Sequence, residues 1–175
     1  MKLLGMNTFI EASLVTNGMV SKKVIAGAYG VSARSAEKYI ASFIDKYPNV
    51  IQYNSSLHAW ETVDYDSLDQ GMSAMEAAHY IEALTLIYKN ESPVMGLIEC
   101  KLYESKEFRR DELVDKLGIS LSTAKRAISK YLESGNLKRT PGNTYRPTFT
   151  YLPLFIKNTK EAKRFEDALD LILGA

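Results

Sequence analysis

Apolar residues fall three and four apart in two matching stretches of this chain, and both stretches spell the same local structure. In the later stretch Leu113, Val114 and Leu117 form one face of a short helix that Asp111 or a neighbour begins. Gly118 stops that helix, because glycine tolerates the left-handed backbone of a helix end. Ile119 is expected to plug the turn, and Ser120 to cap the next helix by accepting a backbone N–H bond. Leu121, Ala124, Ile128, Tyr131 and Leu132 then give that helix one apolar face, with small Ala124 permitting close approach at the turn. A helix, a glycine turn and a serine-capped helix predict a helix-turn-helix.

The earlier stretch lies 88 positions upstream, where GVSARSAEKYIASFI aligns with GISLSTAKRAISKYL. Gly30, Ser32, Ala36 and Ile40 are identical to Gly118, Ser120, Ala124 and Ile128. Here Val31 plugs the turn, Ser32 caps, and Ala33, Ala36, Ile40, Phe43 and Ile44 are expected to face inward. Two short β-prone runs then surround Asn54-Ser55-Ser56, and two more surround Pro141-Gly142-Asn143 in the second copy. Each pair predicts a hairpin. Pro147 argues against a central strand and fits an edge or loop position. First helices are expected at roughly 3–16 and 93–105.

These elements predict a mainly α fold with small β-hairpin wings (α+β): tandem winged helix-turn-helix domains joined by a helix. The expected boundaries are 1–66 for the first winged helix, 67–92 for a linker helix, 93–155 for the second winged helix, and 156–175 for a C-terminal amphipathic helix. From Met72 the linker shows Met75, Ala78, Tyr80, Ile81, Leu84 and Ile87 or Tyr88 at apolar positions. The last helix shows Phe165, Ala168, Leu169, Ile172 and Leu173. A winged helix requires neither, so both are candidates for a homodimer interface.

Charge changes the picture only when divided along the chain. The total of 22 Lys+Arg against 21 Asp+Glu leaves +1, which excludes a uniformly basic coat. Yet residues 1–66 sum to zero, 67–106 to −3 and 107–175 to +4. Lys125, Arg126 and Lys130 lie opposite the apolar face of the helix 120–134, beside Ser122, Thr123 and Ser129. The second wing adds Lys138, Arg139 and Arg146. Short hydroxyls with cations on one helix suit a major-groove reader: Arg reads a guanine edge bidentately and Lys neutralises phosphate. A charge run on an isolated helix is most often a solvated face; here it coincides with the reading helix and its wing. The first copy offers Arg34, Ser35 and Lys38 on the helix 32–46, with Glu37 among them and no Lys or Arg at its hairpin tip.

The segment GVSARSAEKYIASFIDKYPNVIQYNSSLHAW resembles the N-terminal winged helix of bacterial regulators that pair it with a WYL ligand-sensing domain, including regulators of phage-defence islands. The resemblance rests on G-V-S, the Tyr-Pro turn and I-x-Y-N, over about sixty residues. The remainder of the chain is too short for a WYL domain, so ligand sensing is not carried over. LGISLSTAKRAISKYLESGNLKR resembles small winged helices found in bacterial regulators and beside Fic domains. That resemblance places Ser122, Thr123, Lys125 and Arg126 at DNA-facing positions.

Other chemistry is thinly represented. A single Cys and two His exclude a disulfide framework and a Cys-built zinc site, and Cys100 is expected to be a buried, inert thiol. His58 is expected in a wing and His79 on the linker helix. Asp64, Asp66 and Asp69 lack EF-hand spacing, and no phosphate-binding loop or nucleophile elbow appears. Eleven Tyr invite comparison with tyrosine recombinases, but the surrounding His and Arg groups are missing. No targeting segment or membrane span is expected, which fits a cytoplasmic protein. The sequence therefore predicts no enzyme and no cofactor. It predicts a sequence-specific binder of double-stranded DNA, a transcriptional repressor acting as a homodimer on an inverted repeat. Two alternatives stand beside it: a plasmid or phage replication initiator, and a winged-helix protein-interaction scaffold.

Overall fold

The computed structural model describes residues 3–68, 71–88, 92–148 and 154–174. Asp69, the last residues of the expected linker (89–91) and the run 149–153 after the second hairpin lie outside the described residues. The fold is mixed α and β, with eight α-helices and two three-stranded antiparallel sheets among the described residues. The chain divides into two compact units, the first Leu3–Tyr88 and the second ending at Leu173.

The first unit runs α1 (Met6–Asn17), β1 (Met19–Val20), α2 (Lys22–Tyr29), α3 (Ala33–Lys46), β2 (Ile51–Asn54), β3 (Ala59–Thr62) and α4 (Ala74–Tyr88). The second repeats the order: α5 (Pro93–Tyr103), β4 (Phe108–Arg109), α6 (Arg110–Leu117), α7 (Leu121–Glu133), β5 (Leu137–Thr140), β6 (Thr144–Pro147) and α8 (Thr159–Gly174). The sheets share a topology, β1-β3-β2 and β4-β6-β5, so the short strand after the first helix pairs with the second hairpin strand. The expected hairpins are present, each joined by a third strand that is too short to read from its pattern. Contrary to expectation, Pro147 belongs to a central strand. It is the last residue of β6, opposite Leu137, and β4 reaches only Thr144 and Tyr145, so no ladder bond is lost at its missing N–H.

Local signals account for the α2–α3 and α6–α7 segments. Gly30 and Gly118 hold left-handed backbone at φ 63° and 58°, a conformation that costs other residues free energy. Ser32 accepts from the Ser35 N–H and Ser120 from the Thr123 N–H, both at 3.2 Å. Ala36, Ile40 and Phe43 are buried in α3, and Ala124, Ala127, Ile128 and Tyr131 in α7. Two expectations fail at the first position of each helix. Ala33 is exposed, and Leu121 is 48% exposed, because the first turn projects past the cover that the unit gives to the second.

The largest departure concerns the helices read as a linker and a tail. In each unit the first helix is buried nearly all round: Thr8–Leu14 in α1 and Pro93–Cys100 in α5. A helix apolar on every side must be covered on every side. α2 and α3 cover one flank of α1, and α4 packs along another, burying Ala77, Tyr80, Ala83, Leu84 and Ile87. α4 is therefore part of the first unit, not a spacer. In the second unit α8 buries Ala162, Phe165, Ala168, Leu169 and Ile172, and sets the Phe165 ring over Gly96 of α5. The two helices align at a shift of 85: EAAHYIEALTLI from Glu76 and EAKRFEDALDLI from Glu161. Their buried residues coincide position by position. The duplicated unit is thus the whole of α1–α4, and most of the apolar positions expected to serve dimerisation are used within each unit. Met75, Ala78 and Leu173 of the expected stripes are exposed instead, and Ile81 is half-buried.

Gly96 gives a sharp test of the α5–α8 contact. A Cβ there would lie 2.2 Å from Phe165 Cζ. Gly to Ala inside a helix ordinarily stabilises by about 1 kcal/mol. Gly96→Ala is expected instead to destabilise by about 1–3 kcal/mol in urea unfolding, through overpacking.

Candidate nucleic-acid interface

The candidate residues of the second unit lie on α7 and on the β5–β6 hairpin next to it, where Lys138 and Arg146 share one face and Arg139 lies on the other, opposite Tyr145. On α7, Ser122, Lys125, Arg126, Ser129 and Lys130 are exposed and Thr123 is half-buried. On the hairpin, Arg139 and Arg146 are exposed and Lys138 is half-buried. None of Lys125, Arg126 and Arg146 has a carboxylate within ion-pair distance among the described residues. The charge of these three is therefore not neutralised locally.

Lys138 and Arg146 are register partners across β5 and β6, so two cations stand directly opposite each other. Like charges in that relation destabilise a strand pair. The Pro141–Asn143 turn supports the arrangement: Gly142 and Asn143 take φ 77° and 59°, and the Arg139 guanidinium donates to Asn143 Oδ1 at 2.6 Å.

The start of α7 is a cluster of hydroxyls. Ser120 Oγ lies 2.8 Å from Ser122 Oγ and 2.9 Å from Thr123 Oγ1, besides accepting the cap N–H. Each hydroxyl retains acceptor capacity, but the cap fixes where it is offered. Exposed Leu121 beside them is a functional candidate that the apolar pattern conceals. Its side chain at the tip of α7 is of the kind that meets a thymine methyl. Ser92 is another that sequence reasoning misses. It caps α5 by accepting from the Met95 N–H at 3.4 Å, and with Thr123, Arg126 and Lys130 it lines a cleft of about 210 Å³. The Ser-Pro pair at 92–93, a helix-start signal, is the feature that could reveal it.

A buried carboxylate sets the position of α7. Glu99, fully buried in α5, accepts from Tyr131 Oη at 3.1 Å and from the Leu154 N–H at 2.9 Å through one oxygen. Its other oxygen accepts from the Phe155 and Ile156 N–H groups at 3.0 and 2.7 Å. Tyr131 also donates to the Met95 carbonyl at 3.3 Å. The outer face of α7 is thereby keyed to α5 and to the chain entering α8.

The corresponding surface of the first unit has different chemistry. Arg34 and Lys38 are exposed on α3 and Ser35 is half-buried, its hydroxyl 3.0 Å from Ser32 Oγ. Exposed Glu37 stands among them. The hairpin carries Gln52 opposite Glu61 where the second carries Lys138 opposite Arg146. Tyr53 packs on Trp60 with centroids 4.9 Å apart, and its hydroxyl lies 3.4 Å from His58 Nδ1 in the turn. The first unit thus brings together three of the candidate residues without a cationic hairpin.

Cys100 is buried, its thiol donating to the Ala162 carbonyl at 3.4 Å. Burial, with Glu166 and Glu104 nearby, pushes its pKa up to about 12, so it stays a thiol at neutral pH. Exposed His79 lies on α4. Among the described residues, no group of three His, Cys, Asp or Glu is placed to hold a metal ion, and no helix is long and apolar enough to cross a membrane. Set against protein-family models, curated proteins and solved structures, the chain matches none.

Two substitutions test how the surface is built. Ser120→Ala is expected to cost about 1 kcal/mol of stability by removing the cap. Tyr131→Phe should cost about 1–2 kcal/mol by withdrawing one donor from buried Glu99. Glu99→Ala, which removes the acceptor of three N–H groups including the buried one of Ile156, should cost more than either in the same denaturation series.

Proposed function

We propose that this protein is a winged helix-turn-helix regulator that binds double-stranded DNA through its second unit. The observation that supports the reading is the set of exposed cations on α7 and the adjoining β5–β6 hairpin: Lys125, Arg126 and Arg146 have no carboxylate within ion-pair distance among the described residues.

In this reading α7 enters the major groove with its N-terminal end. Leu121, Ser122 and Thr123 meet base edges and methyl groups there. Arg126 contacts a guanine edge, and Lys125, Ser129 and Lys130 contact the backbone. The hairpin is the wing, with Lys138, Arg139 and Arg146 on flanking phosphates. Repression by occupying an operator is the default sense, and the reading assigns no catalytic role. The first unit would contribute Arg34, Ser35 and Lys38 more weakly, because Glu37 and Glu61 oppose phosphate there. The hairpin of that unit, aromatic at Tyr53 and Trp60 and without Lys or Arg, supports the second reading, a winged-helix protein-interaction scaffold that does not bind DNA.

The test is a gel-shift series against operator DNA selected from genomic fragments. Arg126→Ala is expected to weaken operator binding by about 1–3 kcal/mol and non-specific binding far less. Replacing Lys138, Arg139 and Arg146 together by Ala should weaken binding to all sequences and lower the salt slope by about three. Unchanged affinity in both variants would remove this surface from DNA binding.

A further inference from the structure

The first unit carries a feature that its duplicate lacks. Between α2 and α4 runs a groove of about 490 Å³, floored by buried Phe9 and lined by Val24, Gly27, Ala28, Ile81 and Thr85, with Lys23 at its edge. Val24 is 49% exposed, and a Cβ built on Gly27 would meet nothing within 4 Å, so the groove is open.

The duplicate shows what the same place looks like when it faces water. At the positions of Val24, Gly27 and Ala28 the second unit has Glu112, Asp115 and Lys116, and at those of Ile81 and Thr85 it has Glu166 and Asp170. Lys116 and Asp170 bridge the gap there with an ion pair at 3.0 Å. One fold therefore carries two surfaces, one charged and bridged, the other apolar and open. Packing within the unit does not require the apolar version.

We propose that this groove seats a second copy of the same chain, in a two-fold contact that lays α2 of each copy on α4 of the other. The distribution of charge selects this occupant. α2 carries Lys22 and Lys23 and no acid, whereas α4 carries Glu76 and Glu82 and neither Lys nor Arg. A two-fold interface uses one patch twice, so the patch must complement itself. A cationic helix and an acidic helix on either side of an apolar groove meet that condition. The small residues Gly27 and Ala28 let the partner helix approach closely. The contact uses neither the α7 face nor the β5–β6 hairpin, so it does not depend on the DNA reading.

Sedimentation equilibrium of the full chain over a dilution series tests the proposal. The unsubstituted protein is expected to be a dimer. Gly27→Glu, which has room in the isolated fold, should weaken dimerisation about tenfold or more by placing a carboxylate in the contact. Lys23→Glu and Glu82→Lys should each weaken it about three- to tenfold, since each change acts twice in the dimer. The double variant Lys23→Glu with Glu82→Lys should recover most of the loss, because the pairing is restored in reverse. Thermal melts establish that each variant is folded, and Gly27→Glu is expected to melt no lower than the parent monomer. A monomeric parent, a dimer indifferent to Gly27→Glu, or a double variant no better than the single ones would overturn the assignment.

Discussion

The second unit depends on one buried carboxylate. A charge with the exposure of Glu99, which is none, costs several kcal/mol unless hydrogen bonds replace the water it has lost. Four donors do so: the Tyr131 hydroxyl and three successive backbone N–H groups, from Leu154 to Ile156. These donors come from α7 and from the chain that leads into α8, and Glu99 itself belongs to α5. One side chain thus fixes the relation of the central helix, the cationic helix and the covering helix. The first unit keeps a glutamate at the matching position: Glu11 is buried in α1, and burial, with a smaller contribution from Glu11, pushes the Tyr80 phenol of α4 up to about 12. The tyrosines of this unit share the pattern. Tyr29 and Tyr88 meet at 4.6 Å, and burial raises both pKa values.

Around these matched interiors the two units differ at the surface. Buried positions correspond closely, down to Tyr80 and Phe165 over Thr8 and Gly96. Exposed positions do not. The second unit has concentrated cations on α7 and its hairpin, and has covered the groove beside its first helix with an ion pair. The first has the reverse, with a nearly neutral α3, a hairpin without cations and an open apolar groove. Interiors are constrained by close packing, whereas exposed positions are free to take up new contacts.

Much of this is legible in the sequence, for local reasons. The glycine stops, serine caps, apolar faces of α3 and α7 and the hairpin turns are each set by residues within a few positions of one another. The cationic positions on α7 are equally plain, because a helix face follows from spacing alone. What escapes is non-local. β1 and β4 have two residues each, too few to show alternation, and exist only because β3 and β6 lie beside them. Leu121 matches the apolar period yet is exposed, since periodicity does not say where cover ends. Arg139 and Arg146 are found by type, whereas the opposition of Lys138 and Arg146 is a matter of register.

The helices at 74–88 and 159–174 show the boundary most clearly. The sequence by itself determined that they are helices and the centre of their apolar faces, at Tyr80, Leu84 and Ile87 and at Phe165, Ala168, Leu169 and Ile172, but not their edges, where Ala77, Ala83 and Ala162 are buried and Met75, Ala78 and Leu173 are exposed. Only the tertiary structure decided what those faces meet, namely α1 and α5, which are apolar all round and leave one side uncovered by the helix-turn-helix. The repeat that joins them to their units is hidden by a change of spacing from 88 to 85 across the shorter second hairpin. Turns and caps are read from neighbours along the chain. The cover of a central helix, and the burial of a charge such as Glu99, exist only when distant segments are brought together to exclude water.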